Sequence, residues 1–431
     1  MLNFPQIFRI RQTFARPRVA DVGREVHAQL ARLELHRRVQ LGQSVAITAG
    51  SRGITNIAAI LRAAVDYFRG LGAEPFLVPA MGSHGGGTAE GQRQVLNSYG
   101  ITETAVGCPV RSNMETTIVG RAVEGFPLHV DRAACAADHV LVCGRVKPHT
   151  ALAGDFQSGL LKMLLIGLGK QAGANIYHRA IEDYSFDQIV RSAAPEILRK
   201  CPIVAGLAIV ENAYDETALI DAVEPSQFES REPQLLALAR QWMARLPFDA
   251  VDVLVIDRMG KNISGVGFDP NVVGRKFNDH RAVAGETPKV KRICVRSLTP
   301  ESHGNAIGLG VAEFCRTQLL HDMDTQATRV NSLTSGHIAA GMTPLDYATD
   351  REMLHAALGT VGLVEPPHAR LLWIADSLDL VEVECSTAYL EAARGRSDLE
   401  ILCPPREMRF DAEGNLPAKG RVLDDPRHRT W

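Results

Sequence analysis

SVAITAGSRGITNIAAILRAAVDYFRGLGAEPFLVPA, residues 44–80, is the stretch from which the fold class follows. SVAITA (44–49) is short, apolar and β-prone, ITNIAAILRAAVDYFR (54–69) repeats apolar side chains at spacings of three and four, and EPFLVPA (74–80) is apolar and too short for a helix. Strand, helix, strand in that order predicts a crossover unit with parallel strands. The pattern continues outward. TAEGQRQVLNSYG (88–100) reads as a helix with Thr88 as cap and Gly100 as stop, and Glu124-Gly125 marks a hairpin. DHVLVCGRV (138–146) is a strong strand, 203–211 and 217–223 are two more, and 232–245 is a helix.

A second α/β unit begins near Asp249 with VDVLVID (251–257), an apolar run of the kind buried on both faces of a sheet. KRICVRSL (291–298) is its next strand, followed by a Gly-rich loop and a helix around 305–319, then strands RLLWIAD (370–376) and VEVECS (381–386). At about 150 residues per domain, 431 residues suggest two or three domains. The boundary is placed at LPFDA (246–250), giving an N-terminal cofactor-binding and catalytic domain, 1–248, and a C-terminal domain, 249–431, that closes the substrate cleft. The polar tail after Pro404 is expected to pack back on the first domain. The expected architecture is two α/β domains with largely parallel sheets and an active-site cleft between them.

Composition narrows the function classes. Hydrophobic residues are 45% and charged residues 22%, ordinary for a globular chain. The 47 Lys and Arg against 49 Asp and Glu leave a net charge of −2, with no basic surplus for a phosphate backbone, so nucleic acid is not an expected partner. Eight Cys stand singly, without C-x-x-C or zinc spacing, as in a reduced cytoplasmic enzyme. The start MLNFPQIFRIRQTFARPRV lacks a signal-type apolar run, and LLKMLLIGLG is about half the length needed to span a bilayer, so the expectation is a cytoplasmic protein without a membrane partner.

In open α/β sheets, ligands bind beyond the carboxyl ends of the strands. Four polar residues fall at such positions: Arg52 in TAGSRGITN, His84 in MGSHGGGT, His149 in GRVKPHT and Lys261 in DRMGKNISG. GSHGGGT lacks the Gly-Lys-Ser/Thr end of a P-loop, GLGKQAG follows a helix-like run, and neither a G-x-S-x-G nor an H-E-x-x-H occurs. The run KPHTALAGDFQSGLLKMLLIGLGKQAGANIYH (147–178) places His149, Lys162 and His178 around an apolar core. Its two readings are a buried amphipathic helix with Lys162 snorkelling, or a ligand-binding segment with an acid/base, an amine nucleophile and a metal ligand.

Taken in order, these features resemble the nickel-pincer-nucleotide lactate racemases and their 2-hydroxy-acid racemase and epimerase relatives. The resemblance rests on Arg52 in an S-R-G turn, His84 in a G-S-H turn with Thr88 and Glu90 downstream, and His149 followed by S-G-L-L-K. Lys162 with His178 sixteen residues later, and Lys261 after the second domain's first strand, complete the set. It implies a pyridinium mononucleotide whose two thiocarboxylate arms hold nickel through sulfur, carbon and sulfur. In that family a Lys joins one arm as a thioamide and a His is the fourth ligand. Lys162 and His178 stand at those positions, covalent attachment at Lys162 staying open. It further implies His84 and His149 as the acid/base pair and Arg52 and Lys261 as the carboxylate-binding cations. A small 2-hydroxy acid is then the substrate, and the cofactor biosynthesis enzymes are the suppliers. Removing the α hydrogen as hydride gives a stable 2-keto acid, which needs a hydride acceptor and a base for the hydroxyl proton. Two other readings stay open: a metal-dependent hydroxy-acid lyase or dehydratase, and a non-catalytic carrier of the nickel nucleotide, which has no use for His84, His149 or Arg52.

Overall fold

The computed structural model describes residues 4–51, 53–276 and 281–417. They form two compact units, one from Ala15–Met243, the other from the chain before Ala15 together with the chain from Ala244 onwards. Each is α/β with a largely parallel sheet. Among the described residues no helix is long and apolar enough to cross a membrane.

The chain opens with strand β1 (Ile7–Gln12), and the Ala15–Met243 unit then runs α1 (Val22–Arg32), β2 (Ser44–Ala49), α2 (Ile57–Gly70), β3 (Glu74–Pro79) and α3 (Ala89–Ser98). There follow α4 (Glu103–Val106), hairpin β4 (Thr116–Arg121) and β5 (Pro127–Asp131), α5 (Arg132–Ala136) and β6 (His139–Arg145). The unit ends with α6 (Leu160–Lys162), a π-helical turn Met163–Gly167, α7 (Lys170–Ala180), α8 (Phe186–Lys200), β7 (Ile203–Glu211), β8 (Thr217–Val223) and α9 (Phe228–Trp242). Its sheet has the order β3-β2-β6-β7-β8, with β8 alone antiparallel. Side chains alternate between two cores: Val45, Ile47, Leu141 and Cys143 pack with α1 and α2, whereas Ala46, Val140 and Val142 pack with the face that holds α6 to α9. The chain moves outward from β2 to β3 and then returns to β6 on the other side of β2, so the order reverses at β2. That is where open sheets leave a crevice at their carboxyl ends.

The second unit's sheet joins β9 (Ala250–Met259), β10 (Lys289–Leu298), β11 (Phe314–Arg316), β12 (Leu345–Tyr347), β13 (Leu371–Ile374), β14 (Glu382–Ser386) and β15 (Leu399–Ile401). Its order is β12-β11-β10-β9-β13-β14-β1-β15, parallel from β12 to β13. The first residues, grouped by sequence with domain 1–248, thus belong here: β1 pairs antiparallel with β14 and β15. Period-two alternation explains it. Phe8 and Ile10 are fully buried, while Arg9 reaches Glu384 at 2.7 Å and Arg11 reaches Glu382 at 2.9 Å. The described part of the tail after Pro404, residues 405–417, also lies on this unit, where the sequence reading had expected the first domain. Arg406 exchanges backbone bonds with Ile7, and the Leu416 N–H bonds Asp350 at 2.8 Å.

The expected helix around 305–319 is replaced by a 3-10 turn (Leu309–Val311), strand β11 and a short helix, Thr317–Asp322. Gly308 breaks it: φ is +98°, and the position any Cβ would take is filled by the Val266 carbonyl.

Candidate active site

Three loops leave the carboxyl ends of neighbouring parallel strands β3, β2 and β6. The loop after β3 carries His84. Gly85, Gly86 and Gly87 all have φ between 64° and 66°, and a Cβ on Gly85 would stand 2.5 Å from the Gly91 carbonyl carbon, so the turn requires glycine. The His84 ring is exposed, with Nδ1 2.8 Å from the Met81 carbonyl oxygen. Thr88 caps α3 by accepting from the Gly91 N–H at 3.0 Å.

A buried charge holds this turn from beneath. Lys170 and Asp131 are both fully buried and 3.0 Å apart, and the Lys170 ammonium also donates to the Pro79 carbonyl at 2.5 Å and to Gln92 Oε1 at 3.4 Å. The Gln92 amide nitrogen in turn donates to the Gly82 carbonyl at 2.9 Å and to the His84 carbonyl at 3.4 Å. Burial lowers the Lys170 pKa and the Asp131 charge opposes it. Asp131 also caps α5 through the Ala134 N–H at 2.8 Å. One ion pair therefore ties the end of β3, the His84 turn and the start of α5 together.

His149 stands in a loop closed by reciprocal backbone bonds between Lys147 and Ser158, at 3.0 and 3.2 Å. Its own N–H donates to Gln157 Oε1 at 2.8 Å, while its ring Nδ1 accepts from the N–H groups of Ala151 and Leu152, each at 3.0 Å. The loop runs directly into α6, which ends at the half-buried Lys162.

Two features bring α6 close to the sheet. Gly144 and Gly206 present no side chain where it crosses: a Cβ on Gly144 would lie 2.7 Å from Met163 Cγ, and one on Gly206 2.5 Å from Leu160 Cδ1. Glu232 on α9 accepts the Leu161 N–H at 2.9 Å and also the Leu160 N–H, satisfying free donors at the start of this helix. Burial without a cation pushes its carboxyl up to about 7. The π-turn that follows Lys162 is a local irregularity frequent at functional sites. It meets the His84 turn where the Gly82 N–H donates to the Gly167 carbonyl at 3.2 Å.

His178 lies on α7 and is exposed to solvent. Even so, loss of solvation among the surrounding groups and, secondarily, the Lys162 charge lower its pKa. Lys162 and His178, sixteen residues apart, thus fall within electrostatic reach, and the imidazole is biased to the neutral form that ligates metals. Among the described residues no three His, Cys, Asp or Glu gather as metal ligands. A pincer that brings three donors and asks one imidazole of the protein fits this donor set.

Of the six residues singled out by sequence, His84 and His149 stand in loops at the carboxyl end of one sheet, Lys162 ends the helix that follows the His149 loop, and His178 lies on α7 within electrostatic reach of Lys162. Lys261 belongs to the other unit, where its ammonium donates to the Gly265 carbonyl at 2.7 Å and Asn331 Oδ1 at 2.8 Å. Arg52 lies outside the described residues. Sequence reasoning missed Lys170, Asp131, Gln92 and Glu232. Lys170 was visible in GLGKQAG, but nothing local marks Glu232, which is 71 residues from its partner Leu161.

The sequence matches no protein-family model and no curated protein. The fold is similar to that of the lactate racemase apoprotein from Thermoanaerobacterium thermosaccharolyticum, with a TM-score of 0.56, 11% identity, and coverage of 86% of this chain and 98% of that one.

Proposed function

We propose that this chain is a racemase or epimerase of a small 2-hydroxy acid, working by proton-coupled hydride transfer with a nickel-pincer nucleotide. The reading rests on two loops that leave the same end of one sheet, after β3 with His84 and after β6 with His149, and on Lys162, at the end of the helix after the second loop, lying within electrostatic reach of His178. The likeness to the lactate racemase fold and the absence of basic surplus support it. Lys162 and His178 would hold the cofactor, with His178 as the protein's ligand to nickel. When bound, the group supplies the hydride acceptor.

The chain's own residues do the rest. His84 and His149 manage the hydroxyl proton, His being the side chain whose acidity suits transfer in both directions near neutrality. Arg52 supplies a fork of positive charge for the substrate carboxylate. The cytoplasm, where the cofactor biosynthesis enzymes act as suppliers, is the compartment this reading requires.

The test uses protein made alongside those biosynthesis enzymes and a 2-hydroxy acid deuterated at the α carbon. The label should slow the reaction and stay largely on carbon. Washout of α-deuterium into water would replace this reading with a proton-abstracting lyase or dehydratase. Bound nickel nucleotide with no turnover of any 2-hydroxy acid would make the chain a carrier.

A further inference from the structure

We infer that Cys135 and Cys201 form a modification site, where hydrogen peroxide converts the two thiols into a reversible disulfide within the folded Ala15–Met243 unit. The two cysteines are 66 residues apart in sequence, yet their sulfurs meet at 3.7 Å, one thiol donating to the other. Cys135 lies on α5 (Arg132–Ala136), and Cys201 directly follows α8 (Phe186–Lys200). A disulfide holds its sulfurs about 2.05 Å apart, so the bond needs an approach of roughly 1.7 Å, which rotation of the two side chains can supply. The site does not depend on the racemase reading.

Both sulfurs stand on anchored backbone. Asp131 caps α5 by accepting the Ala134 N–H at 2.8 Å and is itself held by the buried Lys170 at 3.0 Å. The Cys201 N–H donates to the Ile197 carbonyl at 2.8 Å, and the next carbonyl, that of Pro202, accepts the Val140 N–H of β6 at 2.8 Å. The fold therefore supplies the encounter that two separate thiols would have to find by diffusion.

The two thiols are unequal. Cys135 is half-buried, whereas Cys201 is 6% exposed. A hydrogen bond from the Cys201 thiol lowers the Cys135 pKa, against burial and the Asp131 charge, which raise it. The same bond, and then burial, raise that of Cys201. The more accessible sulfur is thus the one biased to thiolate, the form that attacks an oxidant. Elsewhere burial pushes Cys108 up to about 11 and Cys143 and Cys315 up to about 12, which keeps those enclosed thiols protonated.

Cys135 thiolate attacks hydrogen peroxide, the O–O bond breaks, and hydroxide leaves with its electron pair to take up the proton that Cys135 had released. Cys135 is then a sulfenic acid. Cys201 sulfur attacks the Cys135 sulfur, the S–O bond breaks, and the oxygen departs as water with the Cys201 proton. Two thiols have lost two electrons in all, and one peroxide has become two waters. Two equivalents of an external thiol reverse the change by exchange.

The test treats the reduced full chain at neutral pH with one equivalent of hydrogen peroxide, alkylates the remaining thiols in denaturant and maps the peptides. The thiol titre should fall by two from the eight of the chain, with a Cys135–Cys201 linkage that dithiothreitol removes. Cys201→Ser should stop at a Cys135 sulfenic acid that dimedone traps, and Cys135→Ser should leave Cys201 a free thiol. An undiminished titre, a linkage through any other cysteine, or oxidation of Cys201 in Cys135→Ser overturns the assignment; the wild-type map decides alone should either variant fail to fold. A second arm compares thermal unfolding of oxidised and reduced wild type, with the same difference in Cys135→Ser subtracted. Closing this loop should raise Tm by roughly 4–15 °C. A midpoint that does not rise means that the native contact cannot accommodate the bond, and overturns the proposal.

Discussion

Replacing Glu232 by Gln should make the Ala15–Met243 unit more stable at alkaline pH and leave it nearly unchanged in mild acid. The carboxyl is 1% exposed and caps α6 without a cationic partner, and burial raises its pKa from 4.5 to about 7. The sign follows from which form the fold tolerates. Below about 4.5 the acid is neutral in both folded and unfolded chains and costs nothing. Between 4.5 and about 7 the unfolded chain ionises while the folded one resists, so this group's contribution is lost as pH rises through that window.

At about 1.4 kcal/mol for each tenfold change in acidity, the full effect above neutrality is roughly 3 kcal/mol, an upper bound. In a unit of this size that corresponds to roughly 6–12 °C in Tm. Gln keeps the shape and one acceptor oxygen for the α6 N–H groups and removes the charge. The assay is urea or thermal unfolding of both proteins from pH 5 to 8, read as the difference between them, so that every other titrating group cancels. A stability difference that does not change with pH, or a variant less stable than wild type at pH 8, would refute the argument.

Lys170→Met should cost about 3–5 kcal/mol because it leaves Asp131 charged and buried, and Lys170→Met with Asp131→Leu should recover most of it; chemical denaturation decides, and a single variant as stable as wild type contradicts the ion pair's role. Gly206→Ala places a methyl 2.5 Å from Leu160 Cδ1 and 2.7 Å from the Phe228 ring, and should destabilise by about 1–3 kcal/mol in the same assay; an unperturbed midpoint would mean that α6 shifts freely. His178→Ala should lower nickel retained after gel filtration of cofactor-loaded protein, and unchanged nickel would remove it as a ligand.

Strands were legible wherever both faces are buried. SVAITA and VDVLVID needed no tertiary information, because parallel strands under two helical layers are apolar throughout. The 305–319 segment was misread because the Val266 carbonyl that fills the space beside Gly308 is remote in sequence, and only that contact shows why a helix cannot pass there. The N-terminal strand was assigned to the wrong unit for a related reason. Alternation in IFRIRQ reveals a strand but not its partners, and Glu382, Glu384 and Glu400 lie more than 350 residues away.

The candidate site divides in the same way. His84 and His149 were singled out because a polar residue directly after a strand is a local signal, and Lys162 and His178 because they share one run. Lys170 and Glu232 act instead on backbone groups of other segments, and no local pattern encodes that. Both are also poor choices for stability alone: an uncompensated buried carboxylate and a buried ion pair are each commonly matched or bettered by apolar residues. What they do that an apolar side chain cannot is bond fixed backbone atoms, Leu161 N–H at the start of the Lys162 helix and Pro79 O at the start of the His84 turn. A site carried on loops needs the carbonyls and amides of those loops held still. Buried charges aimed at the backbone beneath two of those loops meet that need directly.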